Sequence, residues 1–275
     1  MPELPEVETV RRSLLKKLVG RKITQVHVTM DKIVSPLLVD EFVEQATGKE
    51  ILDIRRRGKY LLLDLSEQLT LIVHLRMTGK FIFCKAQDEV MKHTHVIFEL
   101  DDGHHLRFVD QRQFGKVLLV PNEALHQVSG LSTLGPEPLE DEFTLEWFKH
   151  TMAKKSTKIK GLLLDQTFLA GLGNIYVDEA LFRAKVHPER PANSLKAREV
   201  TRLYQAVRDV LQEGIEYRGT SFKDYVDGEG KTGGFQNHLK AYGRENQPCE
   251  ECGTLMMRKK VAGRSSVYCP RCQRL

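Results

Sequence analysis

A mixed α+β fold is predicted for this chain by three features of its sequence. Apolar residues between positions 23 and 120 fall into short runs separated by turn residues. Past residue 138 their spacing becomes helical, and the C-terminal tail carries two Cys-x2-Cys pairs. The expected architecture is an N-terminal β-sandwich with an attached helix over 1–134, a helical domain over 135–236, and a ribbon over 237–275 packed with the second domain.

Each element has a local reason. Val7, Val10, Leu14 and Leu18 recur at helical spacing, Lys16 and Lys17 lie near the C-terminal end, and Gly20 is a plausible stop. Glu3, Glu6 and Glu8 crowd the start of this helix, where acidic groups complement the macrodipole. Strands are expected at 23–30, 51–57, 60–65, 69–75, 80–84, 95–100, 104–109 and 116–120. Turn signals such as Arg57-Gly58-Lys59 and Asp101-Asp102-Gly103 join them. Leu134-Gly135-Pro136-Glu137-Pro138 breaks the pattern and marks a linker. Helices are expected at 143–152, 159–166, 174–184 and 194–217, followed by a glycine-rich loop over 219–234.

The chain has 275 residues, 41% of them apolar and 29% charged, the balance of a globular protein with a real core. No apolar run approaches a membrane span and the acidic start is unlike a signal peptide, so a cytoplasmic protein without a membrane partner is expected. Net charge is +5, from 42 basic and 37 acidic residues. Residues 237–275 hold eight basic and three acidic side chains, a difference of +5, so this tail carries the whole excess. Localised positive charge is what phosphate binding requires. A second basic knot, Lys154-Lys155-Ser156-Thr157-Lys158-Ile159-Lys160, fits either phosphate binding or a solvated lysine face.

The first residues, Met1-Pro2-Glu3-Leu4-Pro5-Glu6, make chemical sense if the working protein begins at Pro2. A proline nitrogen within a chain is a tertiary amide without a nucleophilic lone pair. At a processed terminus it becomes a secondary amine able to attack a sugar carbon and form an iminium. Such an amine titrates near 7.7–8.0, so roughly one molecule in eight is neutral at pH 7, against about one in two thousand for a lysine.

Cys249, Cys252, Cys269 and Cys272 have the spacing of two knuckles around one tetrahedral Zn2+, and a closed four-sulfur shell is structural. Two disulfides are the competing reading; a reducing compartment argues against them. The fifth cysteine, Cys84, follows a Phe-Ile-Phe run and is expected in the core. Between the knuckles, Lys260-Val261-Ala262-Gly263-Arg264-Ser265-Ser266 reads as a basic hairpin tip that can present Arg264 to a phosphate. Gly171 and Gly173 permit a tight turn before Asn174, which fits either ordinary helix capping or an anion site. Met77 and the Arg112–Phe114 pair fall in loops between strands. Large apolar side chains there suit a wedge between bases, although core packing has the same periodicity.

The string Pro2-Glu3-Leu4-Pro5-Glu6-Val7-Glu8-Thr9-Val10-Arg11-Arg12 closely resembles the start of bacterial formamidopyrimidine-DNA glycosylases. The resemblance runs over essentially the full chain, with the motifs in the family's order. It implies a helix–two-turn–helix element around Asn174 that ends in a zinc ribbon, and damaged double-stranded DNA as the partner of a monomer associated with the nucleoid. It implies Pro2 as the nucleophile, Glu3 as the proton-transfer group and Glu6 as its support. Lys59 and Arg264 would lie at the lesion and its phosphates, with phosphate contacts from His74 and Asn174. Met77, Arg112 and Phe114 would fill the space of the extruded base. The segment 220–236 corresponds to the family's lesion-covering loop; no base contact is assigned to any one residue in it. The implied reaction is excision of 8-oxoguanine and formamidopyrimidines, then β,δ-elimination at the abasic site, with no catalytic metal or redox cofactor. The alternatives are an endonuclease VIII-type enzyme for oxidised pyrimidines and a non-catalytic DNA-damage binder.

Overall fold

All eight expected strands form, within two residues of their expected ends: β1 (Ile23–Val28), β2 (Ile51–Arg57), β3 (Tyr60–Leu65), β4 (Leu69–His74), β5 (Gly79–Lys85), β6 (Thr94–Leu100), β7 (His104–Asp110) and β8 (Lys116–Pro121). In this computed structural model, which describes residues 1–222 and 225–275, they build two antiparallel sheets, ordered β1-β6-β7-β5 and β2-β3-β4-β8. Alternation sets the inner faces. Phe81, Val96, Phe98 and Phe108 of one sheet share a core with Leu61, Leu63, Leu71 and Val73 of the other.

Helix α1 (Leu4–Leu18) lies against β2 and buries Val7, Val10, Leu14 and Leu18 in that same core. Burial of one such side chain stabilises by about 1.5–3 kcal/mol, so the helix is held by packing more than by propensity. Two helices were not expected: α2 (Asp31–Val34) and α3 (Val39–Ala46). They are short, and α3 buries only Phe42 and Ala46, too few apolar positions to produce a readable helical period.

The C-terminal half is helical, with α4 (Leu145–Ala153), α5 (Ile159–Leu164), α6 (Asn174–Ala184) and α7 (Ala197–Glu216), then the hairpin of β9 (Met257–Val261) and β10 (Arg264–Tyr268). Thr144 caps α4 by accepting the Trp147 N–H at 3.1 Å. Phe143 stacks on Tyr204 of α7 and meets Phe148 of α4 edge-on. Glu179 of α6 is buried and accepts the N–H groups of Lys240, Ala241 and Tyr242 at 2.8–3.0 Å, which holds the approach to the hairpin. Among the described residues, no helix is long and apolar enough to cross a membrane.

The chain forms two compact units, one of 1–132 with 217–234, the other of 133–216 with 235–275. The segment 217–234, expected in the middle domain, therefore packs with the first unit. The reason is backbone pairing that composition does not reveal. The Gly228 carbonyl accepts the Phe83 N–H of β5 at 2.8 Å, and the Gly228 N–H donates to Ser13 Oγ of α1 at 2.9 Å. Cys84 also departs from expectation. It lies one residue from the end of β5, half-buried opposite His105, and burial pushes its thiol pKa up.

Candidate functional site

The start of α1 is buried in the first unit. Pro2, Glu3 and Glu6 are all inaccessible, with Glu3 3% and Glu6 2% exposed. Met1 precedes Pro2 here, so the Pro2 nitrogen is an amide in this form of the chain. Glu6 uses both carboxylate oxygens: Oε2 accepts the Glu3 N–H at 2.8 Å and Oε1 accepts the Thr220 N–H at 2.7 Å. The Tyr225 hydroxyl donates to the Glu6 carbonyl at 3.2 Å. Burial, and then the Glu6 charge, push the Tyr225 phenol well above its ordinary pKa, so it remains a donor. Gly219 adopts φ +79°, and a Cβ there would sit 2.9 Å from Glu6 Oε1, so only glycine lets the segment come this close. Two of the loop's residues, 223 and 224, lie outside the described residues.

Lys59 occupies the turn between β2 and β3 and is 7% exposed. The turn is hung on α1 through Glu8, a role missed in the sequence. Arg56 Nε meets Glu8 Oε2 at 3.3 Å while its Nη1 donates to the Gly58 carbonyl at 3.2 Å. Burial works against the Glu8 charge, but hydrogen bonds from Arg11 and Arg12 and the nearby Arg56 hold its pKa below the usual range. His74 ends β4 beside this turn, paired in register with Tyr60. Burial, then Arg76 and Lys59, lower its pKa to about 3, so the imidazole is neutral. Its Nδ1 accepts the Arg76 N–H at 3.0 Å, which leaves Nε2 carrying the proton as a donor.

Met77 and Phe114 are 40% and 53% exposed on the β4–β5 and β7–β8 loops. The structure brings them together with Arg112. Arg112 Nη1 approaches Met77 Sδ at 3.1 Å, and the guanidinium lies 5.0 Å above the Phe114 ring. Core packing is thereby excluded for Met77 and Phe114.

In the second unit, Gly173 is the N-cap of α6 and Asn174 its first residue. Asn174 Nδ2 lies 3.5 Å from Ser265 Oγ, while its buried Oδ1 finds no hydrogen-bond partner among the described residues. Arg264 is exposed at the ribbon tip, beside Ala262 at φ +49° and Gly263 at φ +75°, the left-handed pair of a type I′ hairpin turn. Ser265 and Ser266 join the hairpin to α5 and α6. Lys160 Nζ donates to Asp178 Oδ1 at 2.7 Å and to the Ser265 carbonyl at 2.6 Å, and Ser266 Oγ donates to Asp178 Oδ1 at 3.0 Å. Lys160 and Asp178 are 0% and 1% exposed, so Lys160 is neither a phosphate ligand nor part of a solvated face. Lys158 of the same basic knot pairs with Glu189 at 2.7 Å.

The four knuckle cysteines converge, with all four Sγ atoms within 4.8 Å of one another and no disulfide formed. Four thiolates at the 2.3 Å Zn–S distance sit roughly 3.8 Å apart around a tetrahedron, so the cluster fits one structural Zn2+ with a closed shell. Cys249 and Cys269 also pack with Phe182, Met256 and Val267, which ties the metal centre to α6.

Comparison with known proteins agrees in every region. The model of the formamidopyrimidine-DNA glycosylase N-terminal domain matches residues 1–117, that of the formamidopyrimidine-DNA glycosylase H2TH domain 134–226, and that of the zinc finger found in FPG and IleRS 246–275. A formamidopyrimidine-DNA glycosylase of Pelotomaculum thermopropionicum is 55% identical over the full length of both chains. A Lactococcus lactis FPG mutant, solved with Fapy-dG-containing DNA, superposes with TM-score 0.94 at 38% identity over all of both chains. The wild-type Lactococcus lactis FPG, solved with DNA containing an oxidised pyrimidine, gives 0.93 at the same identity, again over all of both chains. The chain belongs to the formamidopyrimidine-DNA glycosylase family.

Proposed function

We propose that this chain is a base-excision repair enzyme that extrudes and excises oxidised purines from double-stranded DNA and then cleaves the abasic site. The observation that carries the reading is the buried Pro2-Glu3-Glu6 group at the head of α1, in a chain whose relatives are formamidopyrimidine-DNA glycosylases. After loss of Met1, the Pro2 amine attacks C1′ of the deoxyribose. The C1′–N bond breaks and its electron pair leaves with the base, which takes up a proton. Glu3 gives a proton to the ring oxygen as the sugar opens to the iminium. The iminium acidifies the C2′ proton, so elimination breaks the C3′–O bond and then the C5′–O bond, and water releases Pro2. Glu6 fixes Glu3 through its backbone N–H.

Lys59, His74, Asn174 and Arg264 bind phosphates, His74 as a neutral Nε2–H donor. Met77, Arg112 and Phe114 enter the duplex where the nucleotide leaves, an extrusion that costs about a few kcal/mol. The bound Zn2+ holds the ribbon, and with it Arg264; the reaction steps fall to side chains of the first unit. The functional parts are 1–134, 135–236 and 237–275, with 217–234 of the second packed on the first. The protein acts as a cytoplasmic, nucleoid-associated monomer.

Borohydride reduction of the protein on duplexes carrying 8-oxoguanine, or an oxidised pyrimidine, is the test. A covalent adduct on the purine substrate supports the reading. Preference for the pyrimidine would favour the endonuclease VIII type, and absence of any adduct would leave only a damage binder. Glu3→Gln should cripple excision while DNA affinity stays near the parent value.

A further inference from the structure

The wedge residues come from two loops far apart in sequence, and a single buried carboxylate joins those loops. Asp110 ends β7 and is 0% exposed. Its Oδ1 accepts Thr78 Oγ1 at 2.5 Å from the β4–β5 loop and the Arg112 N–H at 3.2 Å from the β7–β8 loop. Its Oδ2 accepts the Gly115 N–H at 2.8 Å, closing the second loop on itself. Thr78 Oγ1, whose O–H donates to Asp110, accepts the Arg112 N–H as well, at 3.1 Å. The Asp110 backbone is also clamped. Its carbonyl accepts His95 Nε2 at 2.9 Å and its N–H donates to the His93 carbonyl at 3.0 Å. A Cβ at Gly115 would lie 2.5 Å from Phe108 Cζ and 3.1 Å from Asp110 Oδ2, so the loop leaves little room for another arrangement.

Beyond this base, Met77, Arg112 and Phe114 hold one another only by a sulfur contact and a cation–π contact. Such contacts are too weak to keep three exposed side chains aligned while a base stack is opened. Resting on the function proposed above, we propose that Asp110, with Thr78, is the positioning residue of the wedge. It fixes the two loops to each other so that Met77, Arg112 and Phe114 enter the duplex as one body. Asp110 itself touches no DNA. An asparagine at 110 keeps the shape but replaces one acceptor oxygen with an NH2, which would face either the Gly115 N–H or the Thr78–Arg112 pair.

The test uses the full, zinc-loaded chain with Met1 removed and compares Asp110→Asn, Thr78→Val and Met77→Ala. Excision of 8-oxoguanine from a duplex needs the wedge; cleavage of a preformed abasic site in a single strand needs no base extruded. Asp110→Asn should slow duplex excision by about ten-fold more than it slows single-strand cleavage. Thr78→Val should show the same bias, more weakly, and covers the case in which Asp110→Asn folds poorly. Met77→Ala should cost little further in the Asp110→Asn background. Equal losses on both substrates, or fully additive effects of Met77→Ala and Asp110→Asn, would overturn the inference. If the parent protein neither excises nor forms a borohydride adduct, the parent reading and this inference fall together. An active parent with a normal Asp110→Asn variant overturns this inference alone.

Discussion

The Glu6 carboxylate accepts the Thr220 backbone N–H at 2.7 Å across 214 positions of sequence. Since its other oxygen holds the Glu3 N–H, one buried side chain sets both the start of α1, where the proposed catalytic residues lie, and the entry of the 217–234 segment. Glu6→Gln places an NH2 against one of these two N–H groups. The variant should lose about 1–3 kcal/mol, the cost of an unpaired buried donor. Excision should fall and amide exchange at Thr220 should rise together. Unchanged exchange at Thr220 alongside lost activity would show that the contact does not matter in solution.

Lys160 and Asp178 form a buried ion pair that also bonds to Ser265, Ser266 and Val267 of the ribbon. Burial pushes the Asp178 pKa up while Lys160 opposes that rise. Lys160→Met leaves the carboxylate without its charge partner and should destabilise the second unit by about 3–5 kcal/mol, measured by urea unfolding. A loss below about 1 kcal/mol would mean that Ser266 and the Val267 N–H suffice to hold Asp178.

Chelation of zinc should unfold the ribbon, because the thiolate cluster and its small apolar shell form together. Arg264 would then lose its fixed position, and DNA affinity should drop with a shallower salt dependence. The β-sandwich circular dichroism signal should survive. A ribbon that keeps its amide protection after complete metal removal would contradict this.

His74 carries a pH signature. Its folded pKa of about 3 lies below the ordinary value of 6.5, so between these limits the unfolded chain binds a proton that the folded chain does not. Stability from this residue is therefore intact above about pH 7 and declines as pH falls through 6.5, with a limiting slope of about 1.4 kcal/mol per pH unit. His74→Gln should flatten the dependence of the urea midpoint on pH between 4 and 6. Parallel profiles for parent and variant would refute the depressed value.

The β-strands were legible because alternation and turn residues act locally, and each strand needs only its own neighbours to declare its period. The short α2 and α3 were not, because Phe42 and Ala46 alone cannot set a period. Met77, Arg112 and Phe114 were identifiable as loop residues, yet Asp110 beside them gave no signal that it was their anchor. Lys160 read as one of four lysines in a basic knot, and nothing local distinguished it from exposed Lys158.

By itself, the sequence determined the order of the eight strands and the longer helices, the zinc ligands and the acidic, proline-led start, since each depends on spacing over a few residues. Tertiary structure alone decided which charged groups are buried and what they hold: Glu6 to Thr220, Glu8 to Arg56, Lys160 to Asp178, Asp110 to Thr78. The physical reason is desolvation. A charge can leave water only where a partner awaits it, and in these pairs that partner is 18 to 214 residues away.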